Sequence, residues 1–474
     1  MTPVPKEDNK KDTKKFGTKK ILIVAYYFPP LGGGGVPRPL KFCKYLPEFG
    51  WQPIVLTPKN GVGPVYDQTL LDELNSYKNV KVYRTLSFEL GAIKKLVKLR
   101  ISSLINYIKK FLGLKAQTIS QSDDTKNRQS VNSSIRQSEN SSIRQFINYI
   151  YNLLFEFQKF ICIPDDKILW ALPSIFSALR IIKKEKPDLI FATIPPYSNF
   201  VLAVLLKKLT GLNLIVDYRD PWNIPDTKKN ILNFQLEKWC LKNSDKLTYV
   251  VPIIKDWLAE QFAINHIDFK LIYNGYDEDD YKDIEPIKFD KWTMIAGGDL
   301  YEADNIYFFK LLEDFLFEYP EIKKDFQLVI CSNYQKWFDD YLKGTPIKEN
   351  IINLGVLPKK EYLRYVKGAD CACIFTYPNK YCKNHYYGLH GRAFDYLVFE
   401  KNIFVVGSEN STLFRFLTEN SIEFEFVEKS NFRKFKEKLF TIYKRNYILN
   451  TKKIDKENFS RRNLSLAIIN FLGK

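Results

Sequence analysis

The stretch ILIVAYYFPPLGGGGVPRPLKFCKYL, Ile21 to Leu46, narrows the choice of fold more than any other in the chain. Ile21 to Ala25 is a continuous apolar run rich in β-branched residues, the pattern of a strand buried on both faces and therefore of a parallel sheet. After Pro29-Pro30 come four glycines, Gly32 to Gly35, then Leu40, Phe42, Cys43 and Leu46 at helical spacing, ending near Gly50. A glycine loop that opens a helix leaves backbone N–H groups at the positive end of the macrodipole, where an anion or a closely approaching ligand is favoured. A plain flexible turn is the other reading of the same glycines. Neither the G-x-G-x-x-G nor the G-x-x-x-x-G-K-[ST] spacing occurs here, which disfavours a nicotinamide cofactor and a P-loop nucleotidase.

The same strand and helix alternation continues downstream. Strands are expected at Gln52 to Thr57, Val80 to Arg84, Asp188 to Thr193, Asn213 to Tyr218 and Lys246 to Val251. Helices are expected at Ala171 to Lys184, Asn199 to Thr210 and Ile231 to Asn243. This period implies a doubly wound parallel sheet with its ligands outside the carboxyl ends of the strands. Two polar loops fall at such ends, Pro195 to Ser198 and Asp217 to Trp222. Tyr276 to Trp292 is acidic, lacks an apolar period and reads as a linker. A second domain then repeats the plan: strand Thr293 to Ala296, Gly297-Gly298, helix Ile306 to Tyr319, and strands at Phe326 to Cys331, Ile351 to Leu354, Ala372 to Phe375 and Ile403 to Val406. The expected division is a basic tail over 1–18, a first domain over 19–280, a second over 281–455 and a closing helix over 456–474.

Inside the first domain, 93–163 reads as an insertion with a disordered centre at 116–145, where NSSIRQ occurs twice. Ile93 to Lys115 carries seven basic residues and no acidic one on an apolar period, suited to an anionic bilayer surface and equally to an ordinary domain helix. Phe146 to Ile163 reads as a second apolar helix. The net charge of +18 points to a negatively charged partner: nucleic acid, membrane or phosphorylated substrate. No recognition helix, RNP-type strand or zinc finger supports nucleic acid. Seven scattered cysteines, no secretory signal and no membrane-spanning run suit a cytoplasmic protein. Cys371, Cys373, Cys382, His385 and His390 are near one another, but their spacing matches no usual zinc module, so no metal is assigned.

The marks YYFPPLGGGGVPRPLKFCKYLPEFGW, PDLIFATIPPYSNFVLAVLLKKLTG, DYRDPW, LIYNGYD, LGVLPKKEYLRYVKGADCACI and GRAFDYLVFEKNIFVV, in this order, resemble the family-4 retaining glycosyltransferases of the bacterial surface-polysaccharide branch. The resemblance implies two Rossmann-like domains facing across a cleft, the GT-B arrangement, with the C-terminal helix Phe459 to Leu472 crossing back to the first domain. It implies sugar transfer from a nucleotide diphosphate sugar to a glycan or lipid-linked acceptor, with no metal cofactor, because dipoles and basic side chains stabilise the leaving diphosphate. By position, the catalytic Arg38, Arg219 and Asp220 would face the reacting sugar together with Gly34 and Gly35, which would bind the donor. Gly297, Gly298, Asp395, Ser411 and Thr412 would hold the donor. Retention assisted by the leaving phosphate calls for no general base.

The chain departs from the family's carboxylate pair, with Tyr387 and Asp395 in its place, and Asp299, Glu302 and Asp304 follow the second glycine pair where basic residues are usual. Arg392, or Lys380 and Lys383, would restore the missing positive charge. The same departures suit a second reading, a glycosyltransferase-like protein that has lost catalysis and serves as a binding partner in a membrane assembly.

Overall fold

The computed structural model describes residues 19–63, 65–89, 162–224, 230–298, 300, 302–333, 335–376, 388–389, 391–428, 431–444 and 456–473. Two parallel sheets organise them. The first contains β1 (Lys19–Val24), β2 (Trp51–Pro58), β3 (Lys81–Thr85), β4 (Leu189–Ile194), β5 (Asn213–Tyr218), β6 (Lys246–Tyr249) and β7 (Asp268–Leu271). Its order is β3-β2-β1-β4-β5-β6-β7, so the direction of winding reverses between β1 and β4. The second contains β8 (Trp292–Gly297), β9 (Phe326–Cys331), β10 (Ile351–Asn353), β11 (Cys371–Phe375), β12 (Asn402–Gly407) and β13 (Glu425–Glu428), in the order β10-β9-β8-β11-β12-β13. Its reversal lies between β8 and β11.

The opening apolar run serves both faces of the first sheet. Leu22 and Val24 enter one core, Ile21, Ile23 and Ala25 the other, as a period of two requires. Helices cover both faces: α1 (Pro37–Tyr45), α2 (Gln68–Ser76), α3 (Ile168–Glu185), α4 (Ser198–Thr210), α5 (Ile231–Lys242) and α6 (Pro252–Gln261). In the second domain they are α7 (Glu302–Glu318), α8 (Pro320–Asp325), α9 (Lys336–Gly344), α10 (Lys359–Gly368), α11 (Gly391–Val398), α12 (Thr412–Glu419) and α13 (Phe432–Lys444). Cys371 and Cys373, on one side of β11, are both fully buried in the second core with Phe308 and Phe435. Burial pushes both thiols up, away from the thiolate a metal requires. Cys382, His385 and His390 lie outside the described residues.

The last helix, α14 (Arg461–Leu472), leaves the second domain and packs Leu464 and Ile468 against Leu40, Cys43 and Leu46 of the first, as the resemblance implies. Arg462 Nε also donates to Glu48 Oε2 at 2.7 Å. The chain thus passes between the domains twice, and the two passages are hydrogen-bonded to each other. Tyr276 N donates to the carbonyl of Phe459 at 3.0 Å, and Arg461 N donates to the carbonyl of Tyr276 at 2.7 Å. The Phe459 ring sits among Tyr273, Phe394 and Phe416, with centroids 5.4 to 5.8 Å away. Among the described residues no helix is long and apolar enough to cross a membrane. The basic stretch Ile93 to Lys115 lies outside those residues, as does all but the end of Phe146 to Ile163.

Candidate functional site

The first polar cluster gathers where the first sheet reverses. The glycine loop after β1 delivers the chain to α1, but Pro37 and Pro39 have no N–H, so in the first three helical positions only Arg38 brings a backbone donor. The anion site expected at this helix start is correspondingly poor. Gly34 is exposed with open space around it. Gly35 has no room for a side chain, since a Cβ there would lie 2.8 Å from Arg219 Nη1. That nitrogen instead donates to the Gly35 carbonyl at 2.7 Å, while Nε donates to Ile194 O at 3.2 Å and Nη2 to Pro195 O. Arg219 therefore ties together the loops after β1, β4 and β5, and Asp220 beside it is exposed at the mouth.

Arg38, expected beside the reacting sugar, lies behind the loop. It is 2% exposed, and its fork donates to both oxygens of Asp217 at 2.9 and 2.7 Å and to the Tyr273 carbonyl at 2.7 Å. Thr248 and Thr193 also donate to Asp217, at 2.7 and 3.2 Å. Burial alone would raise the Asp217 carboxyl, but Arg38 and these hydroxyls hold it below the usual carboxylate range. The pair braces α1 against β5 and the segment after β7, a positioning task rather than a reacting one.

Sequence reasoning missed Asp165. Its Oδ2 accepts from Tyr197 N at 2.6 Å and Ser198 N at 3.1 Å, and its Oδ1 from Ser198 Oγ at 2.5 Å and Lys167 N at 3.0 Å. The carboxylate therefore occupies the N-terminus of α4. Tyr197 in turn donates to the Pro221 carbonyl at 2.6 Å and stacks on Trp222, centroids 5.0 Å apart and 8° from parallel. Its local bond to Lys167 N is an ordinary turn contact, and the partners that give Asp165 its place at α4 are 32 and 33 residues away.

The second cluster gathers where the second sheet reverses, and it unites three of the expected donor residues. The glycines ending β8 lie beneath Arg392 in the first turn of α11. A Cβ at Gly298, whose φ is +99°, would collide with the guanidinium, and one at Gly297 would lie 3.4 Å from Nη1. Among the described residues Arg392 makes no ion pair. Tyr362 of α10 covers the same turn and shares a hydrogen bond of 3.0 Å with Tyr396. Asp395 is 2% exposed, and its Oδ1 accepts from Lys359 Nζ at 2.5 Å and from the hydroxyl of Tyr281. The residue expected to meet a sugar hydroxyl thus also fastens the interdomain linker to the donor side.

Ser411, expected at the diphosphate, is 2% exposed and caps α12, accepting from Phe414 N at 3.1 Å. Thr412, the first helical residue, is buried as well. Among the described residues no hydrogen bond joins either to Arg392. Asp299, Lys380, Lys383 and Tyr387 lie outside the described residues, and the side chains of Glu302 and Asp304 are likewise undescribed.

With this geometry in place the comparisons are informative. Residues 137–280 match the family Glycosyltransferase Family 4. Among solved structures, Alr3699/HepE of Anabaena in complex with UDP has a TM-score of 0.58 at 11% identity, covering 96% of this chain and 99% of that one. Trehalose-6-phosphate synthase OtsA has a TM-score of 0.57 at 10% identity, with the same coverages. TarM has a TM-score of 0.56 at 9% identity, covering 97% of this chain and 99% of its own. At such identities the likeness is one of fold. No curated protein matches the chain in sequence. A segment of the first domain is thus similar to Glycosyltransferase Family 4, and the two domains together have the GT-B fold.

Proposed function

We propose that this chain is a retaining glycosyltransferase of surface-polysaccharide biosynthesis. It takes a sugar from a nucleotide diphosphate sugar and passes it to a glycan or lipid-linked acceptor. The observation that carries the reading is Arg392, a guanidinium that makes no ion pair among the described residues and is laid across a glycine turn at the point where the second sheet reverses. Such crevices are where doubly wound sheets bind ligands, and a planar fork suits a phosphate. The solved structures of HepE include complexes with UDP and with UDP-glucose, so a uridine nucleotide is the first donor to try.

In this reading the diphosphate lies over Gly297 and Gly298 against Arg392, without a metal ion. Asp395, held by Lys359 and Tyr281, faces a hydroxyl of the donor. The acceptor enters between the Gly34-Gly35 loop and Arg219-Asp220, and no side chain is assigned as general base. The protein works in the cytoplasm, peripherally on the anionic face of a membrane through Ile93 to Lys115. Calorimetric titration of the wild type and Arg392→Ala with UDP, GDP and ADP, with and without a divalent metal, tests it. Binding of one nucleotide by the wild type, independent of metal and weakened in the variant, is the expected result. Absence of binding by the wild type would overturn the reading in favour of a catalytically silent binding protein, and equal binding by both proteins would remove Arg392 from the site.

A further inference from the structure

Two neighbouring segments of the first domain leave large apolar side chains in water. Leu86 and Phe88, just past the end of β3, are 59 and 53% exposed, and Leu172 and Phe176 of α3 are 44 and 71% exposed. Apolar residues exposed singly are ordinary, but a group on one face marks an interaction site. These four share a face. Leu172 and Phe176 are a turn apart on the same side of the helix. Residues 85–88 run along its first two turns: Trp170 Nε1 donates to Thr85 Oγ1 at 2.9 Å, the Thr85 and Ser174 hydroxyls share a hydrogen bond of 2.7 Å, and Phe88 N donates to the Leu169 carbonyl at 3.4 Å. Because β3 is an edge strand of the first sheet, the face lies at the rim of the domain.

The charge beside this face has one sign. Behind Phe176, α3 carries exposed Arg180, Lys183 and Lys184, the last with its ammonium 5.6 Å from the centre of the Tyr83 ring. Glu185, the only acidic residue of the helix, is buried and accepts from Lys81 Nζ and Tyr83 Oη at 2.6 and 2.5 Å. Asp166, just ahead of the helix, pairs with Lys167 at 2.9 Å. At 1.5 Å per residue, Arg180 stands about 6 Å behind Phe176 and Lys183 about 10 Å. Apolar side chains with long cationic ones at that distance behind them match the layering of a bilayer, an acyl core under a headgroup zone about 5–8 Å thick.

The same face is where residues 90–161 leave and re-enter the domain. Glu89, the last described residue before them, accepts from Lys167 Nζ at 2.6 Å, so both ends are held here. Within that stretch Ile93 to Lys115 carries seven basic residues and no acidic one. Two basic surfaces side by side repel each other and attract one anionic partner. Nucleic acid would answer the charge but offers no acyl layer for the apolar side chains; anionic lipid answers both.

We propose that the outer face of α3 and the loop over 86–88 form a docking surface for an anionic lipid bilayer. Leu86, Phe88, Leu172 and Phe176 enter the acyl boundary, and Arg180, Lys183 and Lys184 meet lipid phosphates. The proposal rests on the peripheral-membrane reading above and adds to it a second contact, built on the body of the first domain; it does not depend on glycosyl transfer. Both contacts act on one bilayer, so removing either weakens binding by more than its own share.

Co-sedimentation of the full chain with vesicles of phosphatidylglycerol or of phosphatidylcholine tests the face. The wild type is expected to bind the first at low salt and not the second. Leu172→Ser combined with Phe176→Ser is expected to weaken that binding about tenfold or more, for two apolar side chains lost. Arg180→Gln, Lys183→Gln and Lys184→Gln together are expected to weaken it about fivefold per residue, an effect that high salt removes. Phe176→Trp keeps an apolar ring and is the safeguard should the serine variant fold poorly; brominated acyl chains are expected to quench its tryptophan fluorescence beyond that of the wild type. Wild-type vesicle binding by either set of variants, or no added quenching in Phe176→Trp, would overturn the proposal. Release on deletion of Ile93 to Ile163 alongside such a result would leave the membrane reading standing without this face. No binding of the wild type to phosphatidylglycerol would overturn both. Self-association that the serine variant abolishes, with vesicle binding unchanged, would give the face to a second copy of the chain and overturn the proposal likewise. Absence of UDP binding, with the vesicle results as expected, would overturn the glycosyl-transfer reading and leave the docking face standing.

Discussion

The guanidinium of Arg392 lies where a side chain at Gly298 would have to begin. Glycine is required there twice over, by the positive φ and by this contact. Gly298→Ala is therefore expected to displace Arg392 and to lower nucleotide affinity as Arg392→Ala does. A lost charge-assisted hydrogen bond of about 1.5–3 kcal/mol corresponds to roughly 10- to 100-fold. Because both changes remove one interaction, the double variant should be no weaker than either single one, by calorimetry. Additive losses would show that the two residues act separately.

Arg38→Ala strands a buried carboxylate and should cost about 3–5 kcal/mol in urea unfolding, the usual penalty for breaking a buried pair. The pH dependence follows from the depressed Asp217 carboxyl. Its contribution is complete above the unfolded value of about 3.9 and is lost as pH falls through the lower folded one. Wild-type stability should decline in acid more steeply than that of Arg38→Ala.

Glu237 of α5 gives the opposite slope. It is fully buried, accepting from Tyr218 Oη at 3.0 Å and Asn223 Nδ2 at 2.6 Å, and burial pushes its carboxyl from 4.5 up to about 7. Between those values the folded state binds a proton that the unfolded state does not, so stability falls as pH rises toward 7 and is then level. The cost at pH 8 is on the order of 3 kcal/mol. Glu237→Gln, neutral at every pH and able to accept from Asn223 with Oε1 while its Nε2 donates to the Tyr218 hydroxyl, should raise Tm at pH 8 and leave it nearly unchanged at pH 4.

Ser411→Ala separates cap from ligand. If the hydroxyl serves α12 alone, the change costs about 1 kcal/mol of stability and leaves UDP affinity untouched. A matching loss of affinity would return Ser411 to the donor site.

Deleting Ile93 to Ile163 should release the protein from vesicles containing anionic lipid, measured by co-sedimentation at low salt. Retained binding would place the membrane contact elsewhere on the chain.

Sequence alone revealed the strands with a continuous apolar run at their centre, such as β1, β4 and β12, since a strand buried on both faces announces itself. It did not reveal β7 or β13. Asp268–Leu271 and Glu425–Glu428 are four residues each, only half of them apolar, and sit at sheet edges. Helix α2 was overlooked although Asp67 caps it, accepting from Thr69 N at 2.9 Å. At the sites, Arg392 and the two glycine pairs were legible because position relative to a strand end is a local property. The commitment of Arg38 to Asp217 was not, because a pair separated by 179 residues leaves no local mark. The shortage of N–H donors at the α1 start was legible in Pro37 and Pro39, yet the glycines drew the inference first.

Two passages of chain that cross a domain boundary side by side and are joined by hydrogen bonds behave as one join rather than as two tethers. With Tyr276 bonded to Phe459 and to Arg461, the halves of the protein cannot slide or separate at this crossing without breaking those bonds. Gly275 lets the two passages lie this close, since with φ at +64° and the Phe459 carbonyl 2.3 Å from where a Cβ would stand, no side chain fits there.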